Sequence, residues 1–194
     1  MTELTEIAGL HNDPVVVYAA RLAMGLLFGL AAIAKIRHHS VFRATLADYE
    51  LVPSFLLVPA ALLVVLLEVG IAVGAFFEGV ASVAMLMAGG LLLLYAAAIG
   101  INLLRGRRDI DCGCTGPAVR QSLSAWLLVR NTGLAMVAGF ASTIPSGRVI
   151  GLLDITLVAV IIGAAVVIYA AANQLMINAP RLDALDDLLE PADG

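Results

Sequence analysis

Cys112 and Cys114 are the cysteines of the chain, one residue apart in the stretch Arg105-Gly-Arg-Arg-Asp-Ile-Asp-Cys112-Gly-Cys114-Thr-Gly-Pro117. Thiols at that spacing can close a small ring. The short step holds their Cα atoms near the upper limit of disulfide geometry, so the bond is strained. Strain raises the reduction potential and makes such a pair an exchangeable oxidant rather than a structural staple. As a staple it would restrict the unfolded chain little, because it closes almost no loop. Gly113 removes a hindering side chain, and Gly116-Pro117 turns the chain before the next helix. Arg105, Arg107 and Arg108 favour a thiolate, while Asp109 and Asp111 oppose it. The competing readings are metal binding and inert thiols. Two sulfur ligands leave a zinc or copper shell incomplete, and His11, His38 and His39 are distant in sequence, so no metal site is expected.

The second set of chemistry-bearing residues lies inside apolar runs: Lys35, Glu68, Arg130 and Asn131. An ionised side chain in hydrocarbon is costly, so each must be neutral, paired or facing a polar cavity. Helix direction places Lys35 and Arg130 on the cysteine side, from which a polar cluster of all four could reach into the core. One role for it is to bind a polar head group or tune the thiols; the other is to lock helix packing. Arg21 lies at a depth within reach of Glu68, although Lys and Arg near helix ends, Lys35 included, commonly snorkel to water. Trp126 reads most simply as an interfacial anchor.

The elements that must position these residues follow from composition. Of 194 residues, 61% are hydrophobic and 13% charged, and the mean hydropathy is +1.00. Soluble domains run near half apolar and a quarter charged. Disorder and a disulfide-dense scaffold are excluded, and a net charge of −4 offers nucleic acid no basic footprint. The expected partner is the lipid bilayer. Five apolar runs have spanning length: Val15–Ile36, Phe55–Phe77, Val80–Leu104, Ser124–Ile144 and Leu153–Ile177. The fold expected is therefore all-α, a polytopic transmembrane helical bundle of about five spans, with a four-helix core plus one.

Phe77-Glu78-Gly79 and Pro145-Ser146-Gly147 mark breaks, the first making spans two and three an antiparallel hairpin. The organisation is a short acidic tail over 1–14, the bundle over 15–177 with the cysteine loop at 105–123, and an acidic tail over 178–194. Leucines at 182, 185, 188 and 189 recur at helical spacing, but a frayed, solvated tail is the simpler expectation there. With five spans, one face holds the cysteine loop together with Lys35, Arg37, Arg43, Arg105, Arg107, Arg108, Arg120 and Arg181, against Arg148 opposite. The positive-inside rule puts that face in the cytoplasm.

A set of residues carries a family likeness: Arg21, Leu27-Phe28, Ala31-Ala32 and Lys35; Phe42, Tyr49 and Pro53; Glu68; Asn102, Arg105-Gly106, Asp111-Cys112-Gly113-Cys114, Gly116 and Arg130-Asn131. The chain resembles the MauE family of methylamine-utilisation membrane proteins, grouped with DoxX-like redox-associated proteins. Asp-Cys-Gly-Cys followed by Arg-Asn is its specific part, and Thr115 stands where an aromatic is expected. The resemblance implies a multi-pass protein of the bacterial inner (cytoplasmic) membrane. It implies a role in maturing methylamine dehydrogenase, whose small subunit would be the client enzyme subunit, beside a thioredoxin-like MauD-type partner. Cys112 and Cys114 carry over as the exchange site, hence a thiol–disulfide oxidoreductase, with Glu68, Arg130 and Asn131 as supporting residues. A relation to quinone-linked disulfide-forming bundles implies a quinone acceptor, which no residue demonstrates. A periplasmic client implies a periplasmic loop, against the arginine count. The alternative class is a non-catalytic membrane scaffold for the thioredoxin-like partner.

Overall fold

A segment in hydrocarbon has no water for its backbone polar groups and must pair them internally. The computed structural model describes residues 13–107, 110, 123–147 and 149–189, and every regular element among them is helical. The helices are α1 (Pro14–Arg37), α2 (His39–Asp48), α3 (Leu57–Gly74, entered through a 3-10 turn at Ser54–Leu56), α4 (Glu78–Leu104), α5 (Ala125–Ala141) and α6 (Leu152–Leu189). Four stretches are long and apolar enough to cross a membrane: Pro14–Arg37, Ser54–Gly74, Glu78–Leu104 and Leu152–Leu175. Ala125–Ala141 is apolar and shorter, 17 residues, which at 1.5 Å per residue makes about 25 Å, the short end of spanning length. The protein is a polytopic helical bundle.

Local signals set the helix ends. Asp13 caps α1, its Oδ1 accepting from the Val15 N–H at 2.9 Å, and Pro14 occupies a first-turn position where its missing N–H costs nothing. α4 stops where Gly106 takes φ +75°; Gly106 N–H then donates to Leu103 O, and Arg107 N–H to Asn102 O, both at 3.0 Å. That is a Schellman closure. The α3–α4 connection is Ala75–Phe77, so the hairpin turns slightly earlier than the polar residues suggest, and Glu78 opens α4 instead of breaking the chain. α6 is helical from Leu152 to Leu189, through the leucine-spaced segment and past position 178.

Four helices share one core: Met24 and Phe28 of α1, Ile71 of α3, Met85, Ala88 and Leu92 of α4, and Ala138 and Ala141 of α5. Lipid tails are as apolar as leucine, so close packing, rather than removal from water, holds these helices together. Small residues make the approach. A Cβ on Gly25 would stand 2.9 Å from Ala75 Cβ, and one on Gly74 would stand 2.8 Å from Ala84 Cβ. Gly74→Ala should therefore force α3 and α4 apart and cost about 1–3 kcal/mol, read as a lower thermal midpoint in detergent. Gly70→Ala, with nothing within 4 Å of the added carbon, is the control and should leave the midpoint unchanged or slightly raised. α6 packs along α1 outside this core.

At the end of the bundle away from the α4–α5 connection, Arg21 is buried and ties α1 to the last residue of α5 and the turn that follows it. Its Nε donates to Ala141 O at 2.9 Å, and its Nη2 to Thr143 O at 2.8 Å and Ser82 Oγ at 3.3 Å. The carbonyl of Ala141, in the last turn of α5, has no acceptor role within the helix, and the guanidinium satisfies it. Arg21 neither snorkels nor meets Glu68, which its depth alone had put within reach.

Candidate functional site

Cys112 and Cys114 lie outside the described residues, between Ile110 and Leu123, whose main chains meet through a Leu123 N–H to Ile110 O bond of 3.2 Å. Leu123 joins Tyr49, Ile99 and Leu127 in a second apolar cluster, with Ile110 packed against it. Asn102, fully buried on α4, donates through Nδ2 to Tyr49 O at 3.3 Å and to Ala98 O at 3.1 Å, fastening the end of α2 to α4. Outside the cluster, Arg107 Nη2 meets Glu50 Oε1 at 2.9 Å across a solvated surface. Both ends of the segment carrying the thiols are thus anchored to the same corner of the bundle, where α2, α4 and α5 converge.

Beneath that corner is a buried ion pair. Lys35 Nζ lies 2.6 Å from Glu68 Oε1, and the two residues are 6% and 1% exposed. Tyr95 O–H donates to the same Oε1 at 2.8 Å. Phe42 and Tyr95 flank the ammonium, their ring centroids 5.3 and 5.7 Å from Nζ, within cation–π range. Lys35 does not snorkel. Glu68 stands eleven residues into α3, roughly 16 Å along its axis, whereas Lys35 is two residues from the end of α1. One lysine side chain bridges that difference, so α1 must end well below the mouth of α3. α2 lies across the step this leaves.

Arg130 and Asn131 belong to α5 and are 9% and 2% exposed. Arg130 faces α6: Nη1 donates to Asn173 Oδ1 at 3.3 Å, and its guanidinium carbon sits 6.0 Å from the Tyr169 ring centroid. The partners of Glu68 among the described residues are Lys35 and Tyr95. The four residues grouped from sequence therefore divide into a Lys35–Glu68 pair, an Arg130 linked to α6, and a buried Asn131 beside it on α5. Glu68 Oε2 and Asn131 Nδ2 are buried without a hydrogen-bond partner among the described residues. No cluster of three or more His, Cys, Asp or Glu suited to a metal ion occurs among the described residues.

Two contributors escape a reading by hydropathy. Tyr95 reads as generic helix filling, yet bonds Glu68. α2 sits in a connection that the span pattern leaves blank, and its signal is Phe42, Leu46 and Tyr49 at helical spacing, one apolar stripe on an otherwise polar segment.

Comparison with known proteins agrees with this architecture. The family model described as methylamine utilisation protein MauE matches residues 13–144. A "Methylamine utilization protein MauE" of Methylorubrum extorquens is 40% identical over 153 residues, 78% of this chain and 82% of the relative. That of Paracoccus denitrificans is 35% identical over 139 residues, 69% and 75% of the two chains. The Methylophilus methylotrophus protein of the same name is 34% identical over 135 residues, 69% and 71%. No solved structure matches the chain. With a family match over α1 to α5 and these relatives covered over most of their length, this multi-pass membrane protein belongs to the MauE family, whose members are named for methylamine utilisation.

Proposed function

We propose that the protein is a thiol–disulfide component of the bacterial inner membrane. It assists disulfide formation in a periplasmic enzyme subunit of methylamine utilisation, together with a thioredoxin-like, MauD-type partner. The oxidised Cys112–Cys114 pair accepts two electrons. A partner thiolate attacks one sulfur and forms a mixed disulfide, releasing the other cysteine as a thiolate. The partner's second thiolate then displaces the first sulfur, leaving a partner disulfide and two reduced cysteines. One observation carries this reading: the chain's only cysteines form a closely spaced pair in a segment whose two ends are pinned to the bundle corner. Glu68, Lys35, Arg130 and Asn131 support that corner from within.

The test is trapping. With the cysteine that resolves the intermediate changed to Ser, a covalent adduct with the thioredoxin-like partner should accumulate on non-reducing gels and vanish with reductant. Client maturation that proceeds normally in Cys112→Ser and Cys114→Ser strains sinks the exchange role and selects the scaffold. After reduction of the pair, an impermeant thiol reagent applied from the periplasm should label both cysteines; labelling from the cytoplasm alone would rule out direct exchange with an exported client.

A further inference from the structure

The step above Lys35 is hollow. A cavity of about 380 Å³ lies among α2, α3 and α4, with Lys35, Phe42, Tyr49 and Tyr95 among its lining residues. Its wall also includes Leu63 and Leu94, which are 58% and 61% exposed on the outer faces of α3 and α4. In a membrane those faces meet lipid, so the cavity opens sideways into the hydrocarbon. The volume falls within the usual range for ligand pockets, about 300–1,000 Å³. It is also more than twice the roughly 150 Å³ that accommodates a benzene ring.

The polar lining specifies the guest. An ammonium has three N–H donors, and Lys35, 94% buried, uses one of them on Glu68. Lys35 is itself among the residues that line the cavity. Lys35 and Glu68 together carry no net charge, so neither a phosphate nor a cationic head gains the net attraction that would offset its loss of water. A neutral oxygen acceptor meets no such penalty, and the surrounding aromatic rings suit a flat, apolar body.

We propose that this cavity is a binding site for a neutral, lipid-soluble carbonyl compound, its carbonyl oxygen accepting from Lys35 Nζ and its apolar body lying between α3 and α4. A quinone dissolved in the bilayer and the ester carbonyl of a membrane lipid share that chemistry. The site is independent of the thiol pair, and no electron transfer through it is implied.

The experiment measures equilibrium binding of menadione and of a decyl-substituted benzoquinone to the full-length protein purified in detergent. Saturable binding to one site is expected, unchanged in the Cys112→Ser/Cys114→Ser double variant, so failure of the exchange role leaves this result standing. Ala98→Phe and Val64→Phe fill the cavity from α4 and α3 and should weaken binding about tenfold or more. Leu30→Phe, on an outward face 67% exposed, should not. Competition by a diacyl phospholipid assigns the site to ester carbonyls, and its absence assigns it to ring carbonyls; both support the proposal. Non-saturable uptake, or undiminished affinity in a folded Ala98→Phe variant, overturns it.

Discussion

Glu68→Ala is expected to cost the protein about 3–5 kcal/mol, the scale for deleting one partner of a buried ion pair. The ammonium of Lys35 stays 94% buried and loses the one carboxylate that it meets among the described residues. The charge of a lysine at mid-membrane, about 2.5–3.5 kcal/mol on insertion scales, gives a similar figure. Tyr95 O–H loses its acceptor as well. The measurement is thermal unfolding in detergent, with the yield of membrane-inserted protein beside it. A companion variant separates pairing from packing: Lys35→Met/Glu68→Met removes both charges at similar volume and should return close to the parent midpoint. If Glu68→Ala melts like the parent, or the double change is worse than the single one, the pair does not stabilise the bundle in this way.

Loss of either thiol is the second large effect, and its signature is opposite. Removing either cysteine abolishes the internal disulfide that the partner's thiolate attacks, and loss of a covalently reacting residue typically lowers a rate by several orders of magnitude. Cys112→Ser and Cys114→Ser should each reduce client disulfide formation at least about a thousandfold. Stability should not follow, since a bond spanning so short a loop restricts the unfolded chain little. Activity lost at an unchanged melting midpoint identifies chemistry; both lost together would mark the cysteines as structural. A mature client at normal levels in either strain defeats the exchange role outright.

Most of the bundle was legible in hydropathy because lipid allows few architectures. A run such as Pro14–Arg37, apolar on all sides, has helix as its only open-chain solution. Charges were readable as exceptions to that background, which is why Lys35, Glu68 and Arg130 stand out. Their partners were less so. Depth arguments carry the axial coordinate of a residue but neither its direction around the helix nor the vertical offset between helices. Arg21 and Glu68 are compatible in depth, yet Arg21 turns to the carbonyls of Ala141 and Thr143 at the end of α5. Lys35 looks like a helix-end residue bound for water until α1 is seen to stop short of α3. α2 was missed for a related reason: spanning length filters out a ten-residue helix lying over a step. The arrangement of Cys112 and Cys114 falls outside the described residues, and for them the sequence spacing remains the argument.

The last helix shows how constraint is distributed along the chain. No residue of its Leu152–Leu175 stretch is buried, and among the described residues its ties to the rest include contact with α1 and the link from Arg130 to Asn173 and Tyr169. A side chain facing lipid answers only to a solvent that accepts any apolar shape, whereas Gly74 must leave room for Ala84. Mutational drift should therefore run freely along most of α6 while it is checked at the α3–α4 seam. The family match ends at residue 144, ahead of α6.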